Sequence, residues 1–171
     1  PTLSQTQIEA TLSQQLGAHA FLWVDHGSLA GDDTDSHIDT LVRFAPNNTL
    51  VYVACDSADD EHFNALTEMK MQLESFITAQ GKPYNLIPLP WPKPIFNKDN
   101  ERLPATYANY LILNNTVLVP IYGDDHDSLA VHQVQKAYPN HTAIGIDCLA
   151  LIHQFGSLHC ITMQLPRGFL K

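Results

Sequence analysis

A thiol and a run of carboxylates are the groups in this sequence best suited to chemistry. Cys160 stands in Gly156-Ser-Leu-His-Cys-Ile-Thr-Met-Gln-Leu-Pro166, which reads as a thiol at the mouth of an apolar strand with a glycine loop behind it, exposed enough to react. Residues 32–44, Asp-Asp-Thr-Asp-Ser-His-Ile-Asp-Thr-Leu-Val-Arg-Phe, supply an imidazole and several carboxylates. A cysteine nucleophile needs a lowered pKa and a nearby proton carrier. Carboxylates suit a cation, so the combination points to a cysteine acting on a cationic substrate. The competing reading makes Cys160 a core residue, because free cysteine is among the most buried residue types. Cys55 and Cys148 fit that second reading better.

Two histidines compete for the role of proton carrier. His159 adjoins Cys160, but neighbours in a strand point to opposite faces, so it is poorly placed to serve the thiol. His37, reaching it by a long-range contact, is the better candidate. If His37-Ile38-Asp39 is extended, the period of two puts His37 and Asp39 on one face and turns Ile38 to the core; a surface ion pair is the plainer alternative. Asp32, Asp33 and Asp35 are turn formers, helix caps or ligands for a cation. Asp124, Asp125 and Asp127 read as caps of the following helix. Zinc on His37, His153, His159 and Cys160 would suit the ligand chemistry, yet the spacing matches no usual zinc pattern. Gly27 to Gly31 lacks the Lys-Ser/Thr ending of a phosphate loop. No metal or cofactor is expected.

The composition sets outer bounds. A chain of 171 residues with 44% hydrophobic and 16% charged content reads as one globular domain or large subdomain. Nine Lys+Arg against eighteen Asp+Glu give a net charge of −9. That disfavours nucleic acid and anionic membrane surfaces and favours a small cation, although acidity also serves solubility. Three widely spaced cysteines are no disulfide framework, which suits a reducing cytoplasm. No apolar run approaches the ~20 residues of a membrane span.

The elements that must position these groups repeat along the chain. Ser4 with Gln7 forms a capping box ahead of a helix over 5–16, and Ala20–Val24 reads as a buried strand. Residues 37–45 and 49–54 are β-rich runs joined by Pro46-Asn47-Asn48. Phe63, Leu66, Met69, Leu73, Phe76 and Ile77 line one face of a helix running from near Asp59 to Gly81, and a strand follows at 84–89. The order returns with strands at 107–113 and 117–122, a helix from about Asp127 to Ala137, and a strand at 143–146. The turns at Asn47-Asn48 and Asn114-Asn115 are 67 residues apart, which marks an internal repeat, and a third unit begins near Leu149. Such units bury their faces only against neighbours. Open strand edges therefore call for a second copy or for further sequence. The proline-rich stretch 90–106 is long enough to be a substrate lid.

Gly31-Asp-Asp-Thr-Asp-Ser-His-Ile-Asp39 with Arg43-Phe44, and Leu158-His-Cys-Ile-Thr-Met-Gln-Leu-Pro166, closely resemble the agmatine deiminase and bacterial peptidylarginine deiminase family. Tyr107-Ala-Asn-Tyr110, Val119-Pro120 and Gly123-Asp124 resemble its intervening segment, so the likeness runs through nearly the whole chain in order. The resemblance implies an α/β fold of repeated ββαβ units, part of a five-bladed pentein propeller around a central site. Residues 1–171 would be its C-terminal portion, about half of the five units, with the N-terminal portion absent. By that pattern Cys160 is the nucleophile, His37 the general acid/base and Asp39 the carboxylate that holds the guanidinium. Asp33, Asp35 and Asn109 would be further substrate contacts. The implied reaction is hydrolysis of a guanidine to a urea with loss of ammonia, agmatine first among substrates. Peptidyl or free arginine, or an amidino transfer, come next. A non-catalytic repeat module is the reading from another class. The sequence departs from the family pattern at Gln154-Phe155, where many members carry glycines, and at Ser36, a position that is often glycine.

Overall fold

Two asparagine turns set the register of the molecule. In the computed structural model, which describes residues 2–32, 36–165 and 168–169, Asn47 and Asn48 lie at φ 60° and 53°, and Asn114 at φ 53°. Asparagine tolerates this left-handed region better than most residues. The first turn joins β1 (Val42–Ala45) to an antiparallel β2 (Thr49–Val53), and the second joins β4 (Leu111–Leu113) to β5 (Thr116–Ile121). Between the pairs, α2 (Phe63–Ser75) carries the chain to β3 (Asn85–Leu89), parallel to β2. Likewise α3 (Asp127–Ala137) leads to β6 (Thr142–Asp147), parallel to β5. The result is two ββαβ units with the same strand order. An amino-terminal helix, α1 (Gln5–Leu16), carries the expected Ser4–Gln7 capping box and buries none of its residues.

The central strands explain the core. β2 is buried along its whole length, as a strand covered on both faces must be. Leu66, Met69 and Leu73 of α2 and Ala130, Val134 and Ala137 of α3 are the faces turned inward. Burying a large apolar side chain such as Leu66 contributes about 1.5–3 kcal/mol relative to leaving it in water. Hydroxyls tie the units together: Tyr138 donates to the Phe44 carbonyl (2.9 Å) and shares a hydrogen bond with Tyr110 (3.2 Å). No helix among the described residues is long and apolar enough to cross a membrane.

Several expected strands are absent. Residues 20–24 pair with no strand among the described residues and are only half-buried, with Trp23 donating to Glu9. An apolar run alone does not make a strand without an edge to join. The β-rich run expected from residue 37 starts at Val42, because His37 opens a 3₁₀ turn at Ile38–Thr40. Residues 107–110 are buried but irregular, so only the end of the expected strand at 107–113 forms. Beyond Asp147 the described residues form 3₁₀ turns at Leu151–Gln154 and His159–Ile161, with no strand of a third unit. The helix expected from Asp59 starts at Phe63 and ends at Ser75.

Asp60 is committed elsewhere, which accounts for that late start. Its carboxylate accepts from Arg102 (2.8 and 3.3 Å), from the backbone N–H of His62 (2.9 Å), from the His62 ring (2.7 Å) and from Trp91 (3.2 Å). The second ring nitrogen of buried His62 accepts from Ala30 N (2.8 Å), so the cluster anchors the loop that leads to Asp39. Gly31 passes so close that a Cβ there would overlap the Arg102 carbonyl, and its φ of +82° suits glycine. Stretch 90–106 is thereby pinned, with Leu103 buried and Arg102 paired, and does not hang free as a lid. Burial raises the Asp60 carboxyl, but the hydrogen bonds from Arg102 and His62 and the Arg102 charge outweigh it. They hold the group well below the ordinary carboxylate range. A depressed carboxyl stabilises the fold above its unfolded pKa of about 3.9, and the contribution fades as pH falls from there toward the folded value. Arg102→Met, which leaves the carboxylate buried and unpaired, is expected to cost about 3–5 kcal/mol at neutral pH in denaturant unfolding. Its stability should fall less steeply than the parent's below about pH 4; an unchanged midpoint would contradict this account.

Candidate active site

The site is assembled on an irregular buried segment, and such a segment needs partners for every backbone group. Arg43 supplies some, donating to the carbonyls of Tyr110 (2.8 Å) and Ala108 (3.3 Å) while its guanidinium lies 4.7 Å over the Tyr110 ring. Thr106 donates its hydroxyl to the Thr40 carbonyl (2.6 Å). Tyr122 donates to the Thr106 carbonyl (2.8 Å) and shares a hydrogen bond with Ser157 (2.9 Å). Segment 106–110, the turn at 38–40 and the loop before Cys160 are thus fastened together.

Asn109, fully buried, sits at their meeting point. Its Oδ1 accepts from the backbone N–H groups of His159 (2.8 Å) and Cys160 (3.3 Å) and from the Cys160 thiol (3.5 Å). Its Nδ2 donates to Asp39 Oδ2 (3.0 Å). The amide orientation follows from these partners, since amide N–H groups need an acceptor and a carboxylate needs a donor. The same Asp39 oxygen accepts from His159 Nδ1 at 2.7 Å. Gly156 makes room for the turn that carries Cys160: a Cβ there would lie 3.1 Å from the Cys160 Cβ.

The structure therefore brings together Cys160, Asp39 and Asn109 and adds His159. The expectation that His159 turns away from the site is corrected, because residues 159–161 form a 3₁₀ turn in which adjacent side chains need not oppose one another. The same applies to His37 and Asp39. They do not share a strand face, and Ile38 is 50% exposed instead of facing the core. His37 is exposed at the head of the turn, and its ring makes no hydrogen bond among the described residues. Asp33 and Asp35 lie outside the described residues, while Asp32 accepts from the Thr40 hydroxyl at 3.0 Å. The expected aspartate caps of α3 do not form: its N-cap is His126 with no side-chain cap bond, and Asp127 instead accepts from Tyr122 N, Asp124 N and the Tyr107 hydroxyl. Among the described residues no three of His, Cys, Asp and Glu converge as a metal would require.

Exposure separates the thiols. Cys160 is exposed, whereas Cys55 and Cys148 are buried, and burial pushes both of those thiols up. Two clefts of about 610 and 400 Å³ flank Cys55 and do not include Cys160, Asp39 or Asn109. Cleft volume draws attention to Cys55, and exposure to Cys160.

A solvent-facing thiol beside a carboxylate–imidazole pair, mounted on repeated ββαβ units, is the class that fold and site define. Residues 1–166 match the model of the Porphyromonas-type peptidyl-arginine deiminases, and the chain belongs to that family. A solved structure from Porphyromonas gingivalis, provisionally named an arginine deiminase, is 48% identical with a TM-score of 0.93, covering 99% of this chain and 50% of that one. A C. jejuni agmatine deiminase, solved as a cysteine-to-serine variant with substrate bound, is 41% identical with a TM-score of 0.84, covering 92% and 45%. A curated Marinomonas sp. (strain MWYL1) protein, provisionally named an agmatine deiminase, is 30% identical over 97% of this chain and 49% of its own length. The chain spans about half the length of the curated relatives it matches.

Asn109→Asp keeps the shape and swaps the donor to Asp39 for a second carboxylate. It is expected to destabilise the protein by about 2 kcal/mol or more at neutral pH, with partial recovery on acidification as one carboxyl of the pair takes a proton. Denaturant midpoints across pH read this out, and a pH-independent loss would contradict the assigned amide orientation.

Proposed function

We propose that this chain carries the nucleophile side of a guanidine deiminase that hydrolyses a cationic guanidine to a urea and ammonia. The observation that carries the reading is the joining of Cys160 and Asp39 through one buried side chain, Asn109. A guanidinium stays protonated at neutral pH, so a carboxylate must hold its N–H groups while its central carbon meets the nucleophile. Asp39 holds the cation. The Cys160 thiol gives its proton to His37 and its sulfur attacks the carbon. His37 then donates a proton to the leaving nitrogen, so that the C–N bond breaks with release of ammonia and a thiouronium remains on Cys160. His37 next takes a proton from water, which adds to the same carbon, and the C–S bond breaks to return the thiolate and the ureido product.

Agmatine, yielding N-carbamoylputrescine, is the leading substrate, supported by the relatives that carry that name. The family description favours peptidyl-arginine as the second. In this reading the chain is the C-terminal portion of a five-bladed pentein propeller, and further guanidinium carboxylates lie outside residues 1–171. Cytoplasmic residence suits the free thiols.

The test uses the chain extended to the length of its relatives. Cys160→Ala is expected to lower guanidine-dependent ammonia release at least about a thousand-fold, and retained activity would sink the proposal. Product analysis separates carbamoylputrescine, citrulline and peptidyl-citrulline from transfer of an amidino group to an amine.

A further inference from the structure

The deiminase reading leaves His159 without a task, yet its ring makes a short hydrogen bond to the carboxylate of the site. Nδ1 lies 2.7 Å from Asp39 Oδ2, across 120 residues of sequence. A carboxylate can only accept, so Nδ1 carries the proton of this bond. The ring is fixed at its root as well. The His159 N–H donates to Asn109 Oδ1 (2.8 Å), and the His159 carbonyl accepts from the Thr162 hydroxyl (2.7 Å) and the Thr162 N–H (3.0 Å).

Both donors to Asp39, His159 Nδ1 and Asn109 Nδ2, use the same oxygen, Oδ2. Oδ1 accepts no hydrogen bond among the described residues, so the carboxylate is locked by one edge and offers the other. Asp39 is largely covered, with 18% of its side chain exposed, while the His159 side chain is 37% exposed. Water reaches both members of the pair, the imidazole more than the carboxylate. Because His159 and Cys160 are adjacent, one short turn fixes the carboxylate and the nucleophile together.

Resting on the deiminase reading, we propose that His159 is the positioning residue of the cation site: it orients the Asp39 carboxylate toward the guanidinium and sets the charge that the substrate meets. With a neutral ring the hydrogen bond is made and the carboxylate keeps its full negative charge for the guanidinium. With a protonated ring the imidazolium neutralises the same carboxylate and competes with the cationic substrate. Affinity for the substrate therefore falls on acidification through His159. The titratable groups that contact the ring or its turn are Asp39 and Cys160; Asn109 and Thr162 are neutral. His37, two residues before Asp39, is the other imidazole nearby, so the test must separate the two.

Asparagine makes that separation, because its amide nitrogen can take the place of Nδ1 and never becomes cationic. In the chain extended to the length of its relatives, steady-state kinetics with agmatine are measured from mildly acidic to neutral pH for the parent, His159→Ala and His159→Asn. His159→Ala is expected to raise KM at neutral pH by about ten-fold, the scale of one hydrogen bond to a charged group, with a smaller change in kcat. His159→Asn is expected to recover most of that loss and to abolish the acid-side rise in KM, while any acid limb in kcat that belongs to His37 persists. An unchanged KM in a folded His159→Ala overturns the proposal. If His159→Ala does not fold, His159→Asn decides, and an acid-side rise in KM equal to the parent's overturns it. If the parent releases no ammonia from any guanidine, the deiminase reading fails first and takes this assignment with it.

Discussion

A single buried amide sorts the donors and acceptors of the site, and the surrounding structure is arranged to keep it in place. Asn109 presents an acceptor to the turn that carries Cys160 and a donor to Asp39. Reversing the amide would break every one of those bonds, so the arrangement has one low-energy orientation. Buried irregular backbone around it is costly unless satisfied. Arg43, Thr106 and Tyr122 supply that satisfaction from three different parts of the chain, and Ser157 holds the Tyr122 hydroxyl. The ββαβ units hold the ends of these segments still, with β1 supplying Arg43 and β4 continuing from Tyr110.

The parts legible in the sequence are those governed by local rules. Apolar spacing gave the face of α2, the Ser4–Gln7 box gave the start of α1, and the asparagine pairs gave both hairpins. The site was legible in its residue types and not in its geometry. A period of two assumes a strand, and at 37–39 and 158–161 the chain forms 3₁₀ turns instead. The same assumption turns His159 away from the site, whereas the 3₁₀ turn brings it to Asp39. No local rule reports a contact between residues 120 positions apart. A pairing of this kind follows from the fold, which the repeat suggested only in outline.

The two departures from the family pattern have a conformational meaning. Ser36 lies at φ 47° and Phe155 at φ 62°, both in the left-handed region that glycine enters without strain. Non-glycine residues there cost on the order of 1–3 kcal/mol and persist where the surroundings over-determine them. The surroundings differ at the two places. Ser36 donates its hydroxyl to the Asp32 carbonyl (3.0 Å), while Phe155 ends the 3₁₀ turn at 151–154 and packs its ring against the core. Both lie on the approaches to the site, so the backbone shapes that glycine would give freely are retained here by packing and a hydrogen bond.

A division of labour follows from where the hydrogen bonds begin and end. Among the described residues, every polar contact that fixes Cys160, Asp39, His159 and Asn109 has both ends between residues 39 and 162. The relative placement of thiol and carboxylate is thus set within this chain. In the deiminase reading proposed above, selection among substrates of different length or charge draws on groups beyond this cluster, because Cys160 is exposed. On the same reading chemistry and specificity are separable: the first would rest on the turn at 159–161 and its amide, and the second on groups beyond them.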